Sequence, residues 1–434
     1  MTKKAAIIGA GPMGLTVAYQ LLKEGWQVDV FEKGDKIGGM SVHFDFSGLS
    51  IEKFYHFVCG PDDYTFDILK ELNIYDKLKW NETKMGFFYQ GKLYPWGGPF
   101  ELLFFPKASI FEKARYGLHV FLATKRKNWQ ALDDTTAIDW LNRWLGEKGY
   151  KKYWDSLFRL KFYDYKTKIA APWLWSRLAR VGKSRRNLFT EKMGYIEGGS
   201  ETFLAAIEEA ITSLGGKIYK KSPVEQVLFK NSAASGIRVG GKDKSYDYVV
   251  STMPIQYLPG IAPDMPKSDL EKLKQLDNVG VVCVCVKLKS AFTQNFWLNI
   301  TDDEIDTPGM IELSNLNTEL PSHVLYVPFY LHKNSEKYTR SEAEFTEETK
   351  QYLKRLQPDF DLNDILDMRA FKYEYAQPVC TPGFLDKLPP IASDERKGFF
   401  VSDTAYCYPE DRSINESVKA AYEIVKQMKE QDEA

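Results

Sequence analysis

The sequence has little of what marks disulfide-bonded, metal-binding or membrane-spanning proteins. Its 434 residues include five cysteines and five histidines, and no two cysteines have the CxxC spacing of zinc ribbons and redox motifs. No run reaches the roughly 18 apolar residues of a membrane span, and the apolar start is too short for a secretory signal. We therefore expect no disulfide framework, no metal site and a cytoplasmic location, with any contact to the inner membrane face being peripheral.

The chain also has no excess charge of either sign. Its 58 Lys and Arg residues balance 59 Asp and Glu residues, which gives a formal net charge of −1. This balance favours neither nucleic-acid binding nor a basic membrane coat. With 44% hydrophobic and 27% charged residues the composition is that of a globular protein, and the length predicts two or three domains.

The strongest signal is a glycine-rich turn near the N-terminus. The apolar residues 5–8 predict a buried parallel strand, residues 15–24 have the apolar spacing of a helix, and residues 28–31 alternate as a second strand. The turn between the first strand and the helix has the sequence GxGxxG and contains Gly9, Gly11, Pro12, Met13 and Gly14.

Each part of this βαβ pattern has a physical role in dinucleotide binding. Gly9 permits the tight turn, Gly11 lets the backbone approach a diphosphate, and Gly14 lets the helix pack on the strand. The start of the helix offers N–H groups and a positive dipole end to the phosphates. Glu32, at the end of the second strand, accepts hydrogen bonds from ribose hydroxyls and repels a 2′-phosphate.

The residues after the acid bear on whether the dinucleotide is FAD or NAD. Lys33 follows the acid, and the pair Gly38 and Gly39 precedes Met40. This pattern resembles the second glycine motif of the flavoprotein superfamily that includes amine oxidases, protoporphyrinogen oxidases and phytoene desaturases. That family usually has Arg after the glycine pair, so here Lys33 or Lys36 would supply a cation near the phosphates.

The resemblance also assigns cofactor contacts in the second half of the chain. It implies that Val224 lends backbone groups to the adenine and that Asp403, at the end of a late apolar strand, meets the ribityl or diphosphate region. Ile414 and Asn415 would open a helix aimed at the flavin N1–C2=O edge, where a helix dipole stabilises negative charge. Ser402 stands where the family has glycine.

The resemblance covers nearly the whole chain and implies an α/β fold: a Rossmann-type FAD-binding domain and a discontinuous α+β substrate domain with a helical cap. UDP-galactopyranose mutases share this fold. We assign the FAD-binding domain to residues 1–75, 192–265 and 390–434, and the substrate-binding domain to residues 76–191 and 266–389.

Three residues are candidates for contact with the reacting groups. His56 follows the glycine pair at a place where related proteins put residues beside the flavin, and an imidazole exchanges protons near neutral pH. Packing among its aromatic neighbours is the alternative. Tyr375 and Gln377 lie in a segment that resembles the part of protoporphyrinogen-oxidase-like proteins passing the flavin face, and a plain strand-to-loop transition explains them equally well.

A basic segment at residues 159–186 suggests an anionic substrate. Arg159, Arg177 and Arg180 are the candidate contacts, because guanidinium groups bind carboxylates and phosphates with two hydrogen bonds. The same segment contains Lys161, Arg185 and Arg186. An anionic membrane surface and a solvated helix face are the other interpretations.

A second helical stripe is expected to pack in the core rather than against a membrane. It consists of Ile110, Phe111, Ala114, Leu118, Phe121 and Leu122.

The leading hypothesis is an FAD-dependent oxidoreductase that takes a hydride from a small-molecule substrate onto flavin N5. The alternative is a sugar-nucleotide mutase resembling UDP-galactopyranose mutase, which uses reduced flavin without net redox change. A non-catalytic flavin-binding protein is a third possibility.

Overall fold

A computed structural model describes residues 2–184 and 191–433. The described residues form nineteen β-strands. In chain order they are β1 Lys4–Ile8, β2 Gln27–Phe31, β3 His43–Asp45, β4 Ser50–Glu52, β5 Leu78–Thr83, β6 Met85–Tyr89, β7 Lys92–Trp96, β8 Glu191–Ile196, β9 Lys217–Tyr219, β10 Val224–Lys230, β11 Ala233–Val239, β12 Lys242–Ser245, β13 Tyr248–Ser251, β14 Asn278–Leu288, β15 Trp297–Thr301, β16 Gly309–Glu312, β17 His323–Leu331, β18 Ile365–Pro378 and β19 Phe399–Val401.

The same residues form thirteen α-helices, five of them in the predicted cap. In chain order they are α1 Pro12–Lys23, α2 Asp63–Glu71, α3 Pro99–Phe104, α4 Ile110–Lys125, α5 Ala137–Tyr153, α6 Asp155–Phe162, α7 Ala171–Lys183, α8 Ser200–Ser213, α9 Leu258–Ile261, α10 Lys267–Lys274, α11 Glu336–Thr339, α12 Glu342–Leu356 and α13 Ile414–Glu433.

A five-stranded parallel sheet joins the two ends of the chain. Its strand order is β19-β13-β1-β2-β9, and the central strand β1 pairs in parallel with β2 on one side and β13 on the other. Helix α1 packs against both α8 and α13, and their apolar side chains form one core with the sheet. The predicted α/β class and the Rossmann-type arrangement are confirmed, while the exact domain boundaries stay a prediction.

A seven-stranded sheet forms the second layer, in the order β18-β14-β17-β16-β15-β6-β7. Strand β14 has eleven residues, of which all but the first are buried. Its Val-rich sequence is typical of a strand covered on both faces. Helix α12 packs near β14 and β18, and residues such as Cys283 and Tyr330 face a large internal cavity from the same sheet.

Helices α3 to α7 form the cap, and α4 packs in it with the face opposite to the expected one. His119 and Ala123 are the buried residues of α4, whereas Phe111 is 79% exposed and Ile110 is 62% exposed. Ala114, Leu118, Phe121 and Leu122 are exposed as well. The core interpretation of this stripe was therefore wrong: the helix contacts α5 and α7 through the stripe that contains His119 and Ala123.

None of the described helices combines the length and the low polarity that crossing a lipid bilayer requires.

A buried ion pair anchors the segment that leads into β19. Arg396 is fully buried, and its Nε lies 2.9 Å from Asp269 Oδ2. The same guanidinium donates hydrogen bonds to the carbonyl groups of Pro390, Ile391 and Phe399. Because β19 is the edge strand of the parallel sheet, this contact holds the C-terminal part of the chain in register.

We expect Arg396→Met to lower the free energy of unfolding by about 3–5 kcal/mol, because it leaves a buried carboxylate and three carbonyl groups without their donor. Urea unfolding of the holoprotein measures this change. Arg369→Met is the matched control: Arg369 is half exposed beside Asp367, so the change should stay below about 1 kcal/mol. Equal effects of the two substitutions would contradict the anchoring role.

Candidate cofactor and substrate site

One large cavity lies where the parallel sheet, the seven-stranded sheet and the cap meet. Its volume is about 1360 Å³, above the roughly 300–1,000 Å³ of a typical single-ligand pocket. The GxGxxG turn lines one part of it, the start of α13 lines another, and α3, α4, α6 and α7 cover it. The volume suits a cofactor together with a second molecule.

The glycine turns form a narrow cradle at the start of α1. Gly9 has φ 101°, and Gly14 has no room for a side chain because a Cβ there would lie 2.1 Å from the carbonyl oxygen of Gly9. A Cβ on Gly11 would meet only the Cα of Gly39, at 4.0 Å. Gly11 is the N-cap of α1 and supplies no side-chain cap. The backbone at the helix start thus faces the cavity, as a bound diphosphate requires.

The second glycine motif is attached directly to the first. The Gly38 N–H donates to the Ala10 carbonyl at 2.8 Å, and Gly39 and Met40 line the cavity together with Pro12 and Met13. Gly38 itself has φ 123°, a backbone conformation that favours glycine. The residues predicted to surround the diphosphate therefore lie together.

Glu32 and Lys33 lie at the same end of the cavity. The Glu32 carboxylate accepts hydrogen bonds from the N–H groups of Ala10 (3.0 Å) and Gly34 (2.7 Å), which orient it beside the turn. Lys33 Nζ lies 5.0 Å from the centre of the Tyr257 ring. Val224 also lines the cavity, so the predicted ribose and adenine contacts are close to the predicted diphosphate contacts. Lys36, the other cation considered, donates to the His43 carbonyl.

Asp403 is buried next to the cavity and holds two loops together. Its carboxylate accepts hydrogen bonds from the N–H groups of Ile255 (3.0 Å) and Ala405 (2.8 Å). Burial raises the pKa of Asp403 to about 6, although both N–H groups favour the ionised form. Ser402, which replaces the family's glycine, is fully buried.

The two predicted contacts at the start of α13, Ile414 and Asn415, differ in the pockets that they line. Ile414 lines the large cavity. The Asn415 side chain turns away from it, accepts a hydrogen bond from the Thr65 N–H at 3.1 Å, and lines a separate pocket of about 310 Å³. The Asn415 side chain therefore joins α13 to α2, and only the backbone of Asn415 is available for a contact with the cofactor.

His56 lies between the large cavity and the smaller pocket and lines both. Its Nε2 is 3.4 Å from the Ser41 hydroxyl. Burial lowers the pKa of His56, and the nearby charge of Glu52 only partly opposes the shift. The imidazole is therefore neutral near pH 7 and forms part of the cavity wall.

A cluster of three cations around one carboxylate forms the wall beside α13. Arg177 Nη1 lies 2.5 Å from Asp411 Oδ2, Lys161 Nζ lies 3.9 Å from the same oxygen, and Arg412 Nη1 lies 3.6 Å from Oδ1. The side chain of Lys161 is 1% exposed, and its ammonium group faces the Tyr330 ring at 4.6 Å. Burial and the charge of Arg177 lower the pKa of Lys161.

The predicted substrate arginines have different surroundings. Arg177 belongs to the cluster and Arg180 lines the cavity, where Arg180 pairs with Asp62 through Nη2 at 2.7 Å. Arg159 is absent from the cavity wall and pairs with Asp303 at 3.3 Å on the surface. The helical period explains this correction, because Arg159 and Lys161 point in different directions on α6. The predicted basic segment ends in Arg185 and Arg186, which lie outside the described residues.

The two candidates on β18 are not brought together at one reacting centre. Tyr375 lines the cavity but contacts Tyr257, with ring centres 5.0 Å apart, and Tyr257 in turn contacts Lys33. It therefore lies toward the predicted ribose end. Gln377 is buried, and its Oε1 accepts a hydrogen bond from Arg412 at 2.7 Å. Gln377 acts as a positioning residue for Arg412.

Aromatic residues that the sequence did not single out form the rest of the wall. Tyr55 and Phe57 lie parallel with ring centres 6.4 Å apart, and both contact Trp297 edge-on. Tyr326, which is fully buried and does not line the cavity, also contacts Tyr55. The i, i+2 spacing of Tyr55 and Phe57 was the available signal, because it puts both rings on one face of an extended segment.

Comparison with known proteins gives one family. The sequence matches the family described as flavin-containing amine oxidoreductase over residues 14–423. The chain is 24% identical over 335 residues to a zeta-carotene desaturase of Zea mays (69% of this chain, 57% of that protein). It is 25% identical over 316 residues to a 15-cis-phytoene desaturase of Synechococcus elongatus (66% and 65%) and 24% identical over 303 residues to a 4,4′-diapolycopen-4-al dehydrogenase of Metabacillus indicus (62% and 58%). The chain thus spans less than two thirds of the length of these relatives.

Solved structures share the fold over almost the entire chain. A protein described as a protoporphyrinogen oxidase from Exiguobacterium superposes with a TM-score of 0.79 at 15% identity and covers 100% of both chains. A putrescine oxidase superposes with a TM-score of 0.76 at 17% identity and covers 99% of both chains.

We expect Gly11→Ala and Gly14→Ala to separate cofactor binding from folding. The Cβ at residue 11 meets little protein but lies where a diphosphate approaches. FAD affinity should therefore fall about tenfold or more, as N–H groups that each contribute about 1.5–3 kcal/mol to a charged acceptor lose their contact. The melting temperature of the apoprotein should be unchanged. Gly14→Ala should lower both the FAD affinity and the melting temperature, because its Cβ would lie 2.1 Å from the Gly9 carbonyl oxygen.

Titration of apoprotein with FAD and thermal unfolding measure the two effects. A Gly11→Ala variant that binds FAD as tightly as the parent protein would show that the cradle does not hold the diphosphate.

Proposed function

The chain belongs to the family of flavin-containing amine oxidoreductases, and from this membership we propose that it oxidises an elongated, largely apolar substrate whose polar or anionic end is held beside α13. The protein is an FAD-dependent oxidoreductase. The observation that supports this substrate class is the volume, lining and charge of the cavity, which is mostly apolar along the cap and cationic at the cluster of Lys161, Arg177 and Arg412.

The residues present fit FAD along the whole length of the predicted site. Gly11, Gly39 and the start of α1 suit the diphosphate, Glu32 suits the ribose, Val224 the adenine, and the start of α13 the flavin ring. When bound, FAD supplies a two-electron acceptor at N5, which takes the hydride from a substrate C–H bond. The protein's tasks are to hold the substrate, exclude water and balance charge.

The cation cluster is unfavourable for a protonated amine. Arg177 and Arg412 stay charged and outnumber the Asp411 carboxylate, so the local charge is positive whatever the protonation state of Lys161, and an ammonium group next to it would be repelled. The same charge attracts a carboxylate or another electron-rich end group. Tyr330, whose ring faces Lys161, supports the buried ammonium by a cation–π contact.

The aromatic wall positions the apolar part of the substrate. Tyr55, Phe57 and Trp297 form an aromatic part of the cavity wall. Burial raises the pKa of Tyr55 well above its usual value, so the phenol stays neutral and can donate a hydrogen bond. His56 is neutral for the same reason and can accept or donate a proton only at a cost set by its burial.

Net oxidation, rather than mutase chemistry, is supported by the named relatives, which are desaturases, a dehydrogenase and oxidases. Anaerobic mixing of the purified holoprotein with donors tests the proposal. We expect the polar-ended 4,4′-diapolycopen-4-al to reduce the flavin faster than 15-cis-phytoene, a hydrocarbon without a polar end, and putrescine to leave the flavin oxidised.

Loss of absorbance with putrescine alone would contradict the proposed substrate class. A protein that is inert toward every donor but interconverts UDP-galactopyranose after reduction with dithionite would be a mutase.

We expect Lys161→Met to weaken binding of an anionic end group selectively. Decanoate binding, followed by the change it causes in the flavin spectrum, should weaken about tenfold to hundredfold, since a hydrogen bond to a charged group contributes about 1.5–3 kcal/mol. Decanol binding should change little. Arg177 and Arg412 still compensate Asp411 in this variant, so the fold should persist.

Arg159→Met is the matched control, because it removes a cation from the same helix outside the cavity. A Lys161→Met variant that binds decanoate and decanol as the parent protein does would remove Lys161 from the substrate site.

A further inference from the structure

The cap carries a broad apolar surface that the fold does not bury. We define the cap face as the exposed apolar side chains of α3 and α4: Phe104, Ile110, Phe111, Leu118, Phe121 and Leu122. Phe104 is 76% exposed and Phe111 is 79% exposed. A contiguous group of large exposed apolar residues marks an interaction surface in a water-soluble fold, whereas single exposed residues are common.

The helix that carries most of this face is anchored independently of it. His119 packs edge-on against Trp140 with ring centres 4.4 Å apart, and α4 contacts α5 and α7 on that side. A Ser109–Glu112 capping box fixes its first turn. The exposed residues are therefore presented to the outside by a helix whose orientation is determined by its other face.

The charge around the cap face is strongly positive. Residues 99–128 contain six Lys and Arg residues against two Glu residues, although the whole chain has a net charge of −1. Glu112 is engaged by Lys152 at 2.6 Å and by the capping box. Lys125, the last residue of α4, and the following Arg126 and Lys127 are exposed.

The cap face is continuous with the large cavity. Leu103, Ile110 and Phe121 belong both to the exposed surface of the cap and to the lining of the cavity. Ala114 and Gly117 of α4 line the cavity between them. An apolar molecule that enters between α3 and α4 therefore reaches the cavity past apolar side chains and past Lys113, whose ammonium group donates to the Leu103 carbonyl at 2.6 Å.

We propose that the cap face docks the protein on an anionic lipid bilayer, with the opening of the cavity toward the membrane. Helices with Phe and Leu on one side and Lys and Arg at the rim lie in the interface plane of bilayers. Basic residues near an anionic surface add an electrostatic attraction to the burial of the apolar side chains. This docking goes beyond the proposed reaction and does not depend on which substrate is oxidised.

A second copy of the chain is a less suitable occupant. A twofold interface places the same patch against itself, so the basic residues of two cap faces would repel each other. An anionic lipid surface matches both the apolar centre and the basic rim. The experiment below separates the two occupants.

Flotation of the holoprotein with vesicles tests the docking. We expect binding to phosphatidylcholine vesicles that contain 30% phosphatidylglycerol, and weaker binding to pure phosphatidylcholine vesicles. The double variant Phe104→Asp with Phe111→Asp should reduce binding about tenfold or more, because two exposed rings are replaced by charges that anionic lipid repels.

The matched control is Leu366→Asp with Leu385→Asp, which adds the same charge at exposed apolar residues outside the cap, 48% and 42% exposed, and should bind vesicles as the parent protein does. An unchanged flavin spectrum in both variants verifies folding. The proposal is overturned if the parent protein does not float with anionic vesicles, or if both double variants float as well as the parent protein does. It is also overturned if vesicle binding is absent and the protein forms a dimer that Phe104→Asp abolishes.

Discussion

Close approach between two glycine turns is the constraint on which the rest of the structure depends. Gly11 and Gly39 face each other across the start of α1, and Gly14 leaves no space for a side chain against the Gly9 carbonyl. The missing Cβ at Gly14 lets helix α1 pack against the turn after strand β1, and the Gly38 N–H joins the second glycine loop to that turn through the Ala10 carbonyl. This contact places Glu32, the start of α13 and the cap around one cavity, and the parallel sheet holds them there through both ends of the chain.

Charge balance is the second organising feature of the site. Lys161, Arg177 and Arg412 converge on Asp411. Burial alone would raise the pKa of Asp411, and the basic side chains around it lower that pKa instead. The surplus positive charge lies at the start of α13, where the helix dipole has the same sign. The Asp411 carboxylate therefore reduces the repulsion among the basic side chains, and the remaining positive charge attracts an electron-rich end group.

The cap connects this interior with the outside. Its helices present basic and apolar residues outward while they close the cavity inward. A hydrophobic stripe at helical spacing establishes that a helix is amphipathic. It does not establish whether the apolar side packs against the rest of the protein or lies on the surface. In α4 the smaller stripe of His119 and Ala123 meets the protein, because α5 and α7 offer aromatic partners to it. The larger stripe remains outside.

The sequence by itself determined the parts of this protein that depend on local backbone geometry. The glycine turns, the acid at residue 32 and the α/β class follow from short segments whose requirements are steric and are contained within a few residues. Tertiary structure alone decided which side chains meet across long separations. Arg159 and Lys161 are two residues apart on one helix, yet only Lys161 enters the cavity, and its partner Asp411 is 250 residues away in the sequence. Likewise Gln377 faces Arg412, and Asn415 faces α2. Such pairings depend on the packing of whole elements, and no local pattern carries that information.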